Sequence, residues 1–384
     1  MKDAEAGVPA VAARGSFLPP EQRTGITPLN NEMGTPEIDI IVPVWNRPTE
    51  TRCCLVSLAE HSPTARLILV DNGSDRETER LLQEFAEILD DRALLLRNEV
   101  NQGNVKAVNR GLARAEAPLL AVVRNTTVVA DGWLEPLVAL TRENPAAGLI
   151  LPRLVPAGTG KGKASPAPSW ARREEDHGSL AAMLVKKDLF GRIGGFDEEL
   201  DGGVWCLRDY TRRAYRAGFL TFSVDTAPVL FTEETPLGSV ARREETARRS
   251  GEIYRERWGE GCSFCVYLPR DVDAPALRHR MDVVLEGARQ GHVFTVLAHP
   301  HLHKSALVAA GFDSLHGNIH CEQLPVLFAP AAVRRRFVRL LTISPGIRAV
   351  TGVDGLPFPG VDDALSFARL TETIADAGSS KYHH

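Results

Sequence analysis

From Glu37 onward the chain alternates short apolar runs with amphipathic stretches, and no other feature narrows its possible folds as far. "IDIIVPVW", beginning at Ile38, is a β-rich apolar run, and "RPTETRCCLVSLAEHS" after it has helical spacing. "ARLILVDNGS" is a second apolar run that ends in turn residues. "RETERLLQEFAEIL" carries its charge on one side, as an amphipathic helix does. "ALLLRN", "NVKAVNRGLARAEA" and "PLLAVVRN" continue as strand, helix and strand. Short apolar strands alternating with helices predict an α/β domain with a mostly parallel sheet covered by helices on both faces.

Residues 1–36 are rich in Ala, Gly, Pro, Thr and charge without periodicity, and read as a flexible leader or a surface strap. Residues 152–177, "PRLVPAGTGKGKASPAPSWARREEDH", read as a long loop of the kind that forms lids or binding loops. Order resumes at "GSLAAMLVKKDLFGRIGGFDEEL", then the helix "DYTRRAYRAG" and the strand region "FLTFSVDTAPVLF". The charged helix "SVARREETARRSGEIYRERW" is a natural end to a first domain of residues 37–260. A second alternation follows in "CSFCVYLP", "ALRHRMDVVLEGARQG", "HVFTVLAH", "KSALVAAG", "QLPVLFAP" and "AAVRRRFVRLLT", with a terminal helix in "DDALSFARLTETIADAG". It predicts a smaller, Rossmann-like α/β domain over residues 261–384.

A length of 384 residues accommodates two such domains, and a net charge of −4 argues against a general polyanion binder. No apolar stretch approaches the roughly 20 residues of a membrane-spanning helix. The start lacks the charged-then-apolar order of a signal peptide, so a cytoplasmic location is the default expectation. The six cysteines are then reduced thiols. A homo-oligomer is left open.

Parallel sheets bind ligands beyond the carboxyl ends of their strands. Val44–Arg47, Asp71–Ser74 and Arg124–Thr126 all fall at such ends. The Asp71 carboxylate could accept the imide N–H of a uracil-type base, with backbone groups around Pro43, Val44 and Trp45 completing its edge. The plain alternative is that "DNGS" is only a turn. Arg97 and Asn109 are candidates for a ribose or phosphate, and alternatively ordinary surface polar groups.

Several ordered blocks between residues 37 and 235 resemble family 2 glycosyltransferases with a GT-A fold: "IIVPVWNRP", "LILVDNGS", "RNEVNQGNVKAVNRGL", "VVRNTTVVADGWLEPL", "GGFDEEL" and "DYTRRAYRAGF". The resemblance implies a nucleoside-diphosphate sugar donor of the uridine type and transfer to an acceptor hydroxyl with inversion. The acceptor would be a glycan, a lipid-linked sugar or a protein. Pro43, Val44, Asn46, Asp71, Asn72, Arg97, Asn109, Arg124 and Thr126 would form the donor site.

The chain departs from that pattern in three places. Where the family carries an acidic pair or Asn-x-Asp for a metal, this chain has Arg124-Asn125-Thr126. Neither end residue suits Mg²⁺ or Mn²⁺, which prefer carboxylate oxygen. Arg124 could neutralise the leaving diphosphate directly, so that no divalent metal is required, or it could salt-bridge an acid in a disused site. Where the family carries Glu-Asp-x-Asp, this chain has Cys206-Leu207-Arg208-Asp209. Asp209 is one candidate base; Asp201, Asp197, Glu198 and Glu199 are others if Gly202-Gly203 bends the loop inward, and each also reads as a cap or a solvated acid. Where the family often has a histidine, this chain has Phe231-Thr232-Glu233-Glu234. Two readings follow: a metal-independent glycosyltransferase, or a catalytically inactive module that binds a nucleotide sugar or scaffolds glycan assembly. A nucleotidyltransferase is weaker, because no Gly-rich loop with a basic residue heads the first strand.

"CSFC" at 262–265, with "HPHLH" (His299, His301, His303) and "HGNIHC" (His316, His320, Cys321), would supply zinc ligands. Alternation along an apolar strand sends Cys262 and Cys265 to different depths, so buried thiols are the preferred reading. The mixed-sign runs at 172–176 and in the long charged helix read as solvated faces, which disfavours nucleic acid as a partner. Trp133 reads as packing at a helix start. Trp205 reads as either a sugar-stacking or a core residue.

Overall fold

A computed structural model describes residues 37–157, 171–232, 240–270, 272–302, 315–327 and 329–379. The expected leader, the "KSALVAAG" helix, His303 and the Glu233-Glu234 pair lie outside these residues, as does the middle of the expected 152–177 loop.

The order is β1 (Ile38–Val44), α1 (Pro48–His61), β2 (Arg66–Asn72), α2 (Arg76–Leu89), β3 (Ala93–Asn98), α3 (Asn104–Leu112), β4 (Leu119–Val123), β5 (Thr127–Val128) and α4 (Glu135–Glu143). There follow β6 (Ala147–Leu151), β7 (Leu154–Pro156), β8 (Arg172–Glu174), β9 (Ala182–Lys186), α5 (Lys187–Ile193), α6 (Trp205–Arg216), β10 (Leu220–Val224), β11 (Val229–Phe231) and α7 (Val240–Trp258). The remaining elements are β12 (Ser263–Leu268), α8 (Ala274–Arg289), β13 (Val293–Ala298), α9 (Pro300–Leu302), β14 (Ile319–Gln323), α10 (Ala329–Ile343), β15 (Arg348–Thr351) and α11 (Phe367–Ser379).

The large sheet runs β3-β2-β1-β4-β9-β6-β10-β8. β1 pairs in parallel with β2 and β4, β2 with β3, and β6 with β10, while β9 and β8 run against their neighbours. The arrangement is the mostly parallel, helix-covered sheet that the alternation predicts. Successive β1 residues point to opposite faces and both faces are dry. Ile40, Val42 and Val44 pack with Leu55 and Leu58 of α1 and Leu82 and Phe85 of α2. Ile41 packs on the other face with Val105 and Val108 of α3 and Tyr210 of α6. Asp39 breaks the apolar run and is fully buried. Two Arg66 bonds of 2.8 Å and the Glu116 and Ala117 amides satisfy it. Burial alone would raise its pKa, but these donors hold it below the usual carboxylate value.

A small sheet runs β5-β11-β7, and the second of the two larger sheets is all parallel, in the order β14-β13-β12-β15. One strand differs from expectation. Residues 324–327 of "QLPVLFAP" are not in a strand: Val326 and Leu327 are exposed, and the pairing segment is Ile319–Gln323. Pro325 has no N–H for a ladder, whereas the polar "IHCEQ" suits the outer strand of this sheet. The two sheets meet at β8. Leu315 O accepts the Glu174 amide at 3.0 Å, Glu174 O accepts the Gly317 amide at 2.8 Å, and Arg289 of α8 donates twice to the Glu174 carboxylate at 2.6 and 2.7 Å.

Two buried histidines sit near this junction. His292 Nδ1 accepts the Cys262 amide at 3.0 Å and His316 Nδ1 accepts the Asn318 amide at 3.0 Å, so each ring must be neutral there. Burial, with Arg212 near His292 and with Arg289, Arg173 and His177 near His316, pushes both down to about 4, although Asp176 opposes this at His316. An unfolded imidazole binds its proton near pH 6.5, before either folded one does. Stability is therefore complete above that pH and falls as pH drops from about 6.5 to about 4, by on the order of 3 kcal/mol per ring. The raised pKa of His177 offsets part of this, since its contribution is present below pH 6.5 and is lost as pH rises. Thermal unfolding followed from pH 7.5 to pH 5 should show a falling Tm, and His292→Asn should flatten the fall. A Tm that is constant over that range contradicts the assignment.

Candidate functional site

The carboxyl ends of β1, β2 and β4 open on a cleft of about 1580 Å³. Pockets for one small ligand usually hold about 300–1,000 Å³, so this one has room for two reactants. Pro43, Val44, Trp45, Asn46 and Arg47 line one end. Asn46 and Arg47 have left-handed backbones, with φ of 53° and 61°. Asn tolerates that region and Arg does so at a cost, so the turn must be held from outside. The Asn46 amide donates to Ser74 Oγ at 3.0 Å, its Oδ1 accepts the Asp75 amide at 2.8 Å, and its carbonyl accepts Thr51 Oγ1 at 3.2 Å.

Asn72, also on the cleft wall, ties down the loop after β3. Its Nδ2 donates to Asn101 Oδ1 and Gly103 O, each at 3.0 Å, and its Oδ1 accepts from Asn98 at 2.7 Å and from the Gln102 amide at 3.1 Å. The same loop needs Gly103, at φ 97°, where a Cβ would lie 2.6 Å from Asp201 Oδ2. Asp71 and Arg97 are not among the lining residues. Asp71 is 2 % exposed; its Oδ1 accepts the Ser74 amide at 2.8 Å and its Oδ2 accepts Arg97 Nη1 at 3.1 Å. Arg97 also pairs with Glu79.

Arg124 and Asn125 line the centre of the cleft. The Arg124 amide donates to Ala181 O at 3.1 Å and its carbonyl accepts the Thr127 amide at 3.0 Å, which turns the chain from β4 into β5. Asn125 Nδ2 donates to Thr51 Oγ1 at 2.9 Å. Thr126 does not line the cleft; its hydroxyl donates to Thr232 O at 3.0 Å. Arg47, Arg153, Arg173, Arg242 and Arg243 join Arg124 on the wall, against the acids Glu175 and Asp201. Among the described residues the lining thus carries more arginines than acids, with Arg47, Arg153 and Arg173 paired to Glu50, Asp225 and Glu175. Among the described residues no three His, Cys, Asp or Glu side chains converge. A guanidinium, an amide and a committed hydroxyl at the end of β4 do not fit a divalent cation.

The far wall differs from the expectation for Asp209. This residue is fully buried, and its carboxylate accepts Arg213 Nε at 2.7 Å, Arg257 Nη1 at 2.7 Å and Trp258 Nε1 at 2.9 Å. It locks α6 to α7 and is not on the cleft wall. Asn109 is likewise structural: Nδ2 donates to Phe196 O at 2.8 Å and Oδ1 accepts the Phe196 amide at 2.9 Å. Asp197 caps Glu199 at 2.9 Å and accepts Arg257 at 2.7 Å, and Glu198 accepts Asn109 at 3.2 Å. Of the five candidate acids only Asp201 lines the cleft.

Trp133 is fully buried and donates to Ser62 at 3.1 Å, as a packing residue does. Trp205 packs on Tyr254 with ring centroids 5.2 Å apart and is not a cleft residue. Cys262 and Cys265 are free thiols, and burial pushes Cys265 up to about 12. The sequence alone places Glu175 and Asp176 at the end of a solvated charge run and His177 at the end of a long loop. A histidine directly before the apolar run "SLAAMLV" was the available signal. Arg242 and Arg243 carried no local signal, since α7 reaches the cleft only through tertiary packing.

Removing the Asp209 charge leaves two guanidiniums facing a buried amide. Asp209→Asn should cost roughly 3 kcal/mol in chemical denaturation. An unchanged midpoint contradicts its role as a lock.

Comparison with known proteins finds a family and several relatives. Residues 39–199 match the glycosyl transferase family 2 model. Glycosyltransferase AglE of Haloferax volcanii is 24% identical over 201 residues, 50% of this chain and 65% of the relative. O-antigen biosynthesis protein RfbC of Myxococcus xanthus is 28% identical over 193 residues, 43% of this chain and 15% of the relative. The matches thus span less than two thirds of either relative's length. A crystal structure of GalNAc-T7 with UDP, GalNAc and Mn²⁺ superimposes with a TM-score of 0.47 at 16% identity, over 56% of this chain and 47% of that one. With the matched residues supplying β1 to β9 and the cleft's central strand ends, this chain carries a family 2 glycosyltransferase domain.

Proposed function

We propose that the chain transfers a sugar from a uridine diphosphate donor to an acceptor hydroxyl, with inversion and without a divalent cation. The observation that carries this reading is Arg124 on the cleft wall at the end of β4, amid five further lining arginines. A nucleotide would lie along the turn of Val44–Arg47 and beside Asn72, with its diphosphate directed toward Arg124. A guanidinium offers a fixed positive charge and a forked pair of donors to the leaving phosphate, the service a metal otherwise performs. The acceptor would be a glycan, a lipid-linked sugar or a protein, entering from the β9–β6–β10 side. A sugar nucleotide is the only partner the reaction needs besides that acceptor. Among the described residues no helix is long and apolar enough to cross a membrane, and a cytoplasmic site of action remains our proposal.

A second reading has one observation in its favour. Asp209 is locked in ion pairs and Asp201 is the only one of the five candidate acids on the wall, which suits a module that binds a nucleotide sugar without turning it over.

Calorimetric titration with UDP in EDTA tests the donor site. Arg124→Ala should weaken UDP binding about 10- to 100-fold, the loss of one charge-assisted contact. Raising the salt from 50 to 500 mM should weaken binding to the wild type more than to the variant. Equal UDP affinity for both proteins removes Arg124 from the diphosphate site.

A further inference from the structure

One side chain on the cleft wall, backed by a carboxylate behind it, is not used by the donor site. His177 lines the wall, and its Nδ1 lies 2.8 Å from Asp176 Oδ1. An ionised carboxylate only accepts, so Nδ1 carries a proton, and in the neutral ring Nε2 keeps its lone pair. Asp176 is itself fixed. Arg208 of α6 stands 3.7 Å from its other oxygen, and the Asn318 side chain hydrogen-bonds to it. Asn318 belongs to the segment that clasps β8 from the second sheet, so both halves of the described fold hold this pair in place.

We propose that His177, oriented by Asp176, is the general base that takes the acceptor's proton, an inference that rests on the transfer reading above. Its place along the sheet supports this. The nucleotide end lies at β2 and β1, Arg124 at β4 marks the middle, and the 175–181 segment runs from β8 at the far edge back to Ala181, which bonds to Arg124. An acceptor entering from the far side therefore meets His177 while the diphosphate meets Arg124. Asp201, the rival, has its Oδ2 over Gly103 at the start of α3, toward the nucleotide end. In the step, the acceptor O–H gives its proton to Nε2 as its oxygen bonds to the sugar's anomeric carbon. The bond from that carbon to the β-phosphate oxygen breaks, and its electron pair leaves with UDP. The resulting imidazolium is stabilised by Asp176.

Burial would raise Asp176, but His177, Arg208 and Asn318 hold it at about 2. The Asp176 bond lifts His177 above its usual 6.5; burial and Arg208 oppose the lift, Glu175 adds to it, and His316 stands nearby. A base of this kind works only once deprotonated, so the rate should rise with pH on a limb centred above 6.5.

The test measures UDP release from UDP-glucose, UDP-galactose and UDP-N-acetylglucosamine with water as acceptor, alongside UDP binding by calorimetry. His177→Gln should lower release at least 100-fold, abolish the limb and leave UDP affinity within about twofold. Asp176→Asn should move the limb to lower pH. Imidazole should restore part of the rate to His177→Ala. If His177→Gln keeps the wild-type rate while Asp201→Asn loses it, the base is Asp201; the inference falls and the transfer reading stands. If the wild type binds UDP but releases none from any donor, the binding-module reading replaces transfer and the inference falls with it. If the wild type does not bind UDP, the donor site itself is wrong.

Discussion

The antiparallel pairing of β4 with β9 is the contact on which the cleft depends. It extends one residue past the strand, where the Arg124 amide donates to Ala181 O. That bond fixes the last turn of β4 and brings the segment after β8 alongside it. Without it the guanidinium would have no fixed origin, and His177 would not share a wall with it. Two further knots set the facing wall. Asn46 bonds to the turn after β2 and Asn72 to the loop after β3, so three strand ends hold a common rim. Amide side chains serve here because each donates and accepts at once.

Charge then decides what the rim can do. Among the described residues six arginines and two acids line the cleft, a balance that would favour a diphosphate over a bare divalent cation in the proposed reaction. In the proposed reading the residues at Arg124-Asn125-Thr126 and at Cys206-Leu207-Arg208 belong to one change in chemistry, because carboxylates placed to hold a metal would only compete with the diphosphate for the arginines. Arg208, standing where a carboxylate would, instead faces Asp176. A dyad of Asp176 and His177 would thus take over proton transfer from the side of the cleft opposite the nucleotide. The second sheet acquires a role in this account. Its 315–318 segment and Arg289 clasp β8 two residues before the dyad.

Much of the architecture was legible in the residues. Apolar runs such as Leu119–Val123, and Ile38–Val44 with its one acid at Asp39, read as strands covered on both faces, and their ends locate the cleft. Pro43, Val44, Asn46, Asn72 and Arg124 were reachable by that argument and line it. Asp71, Arg97, Asn109, Thr126 and Asp209 were chosen for chemistry at plausible positions. Their partners lie far off in sequence: Asn109 meets Phe196 and Asp209 meets Arg257. Such tertiary pairing decides whether a polar group faces a ligand or holds the fold, and a local motif carries no trace of it. The run at 172–176 likewise carries no trace of its distant partners, Arg208 and Asn318 beside Asp176. The strand at Ile319–Gln323 escaped notice because an outer strand with polar residues lacks the apolar run that marks the inner ones.

The account's central claim is that arginine charge takes the place of a metal at the leaving diphosphate. The most direct measurement is the rate of sugar release from a UDP-sugar after exhaustive treatment with EDTA, compared with the rate after Mn²⁺ or Mg²⁺ is restored. The account predicts the same rate in both. A rate that vanishes in EDTA and returns with the metal would contradict it.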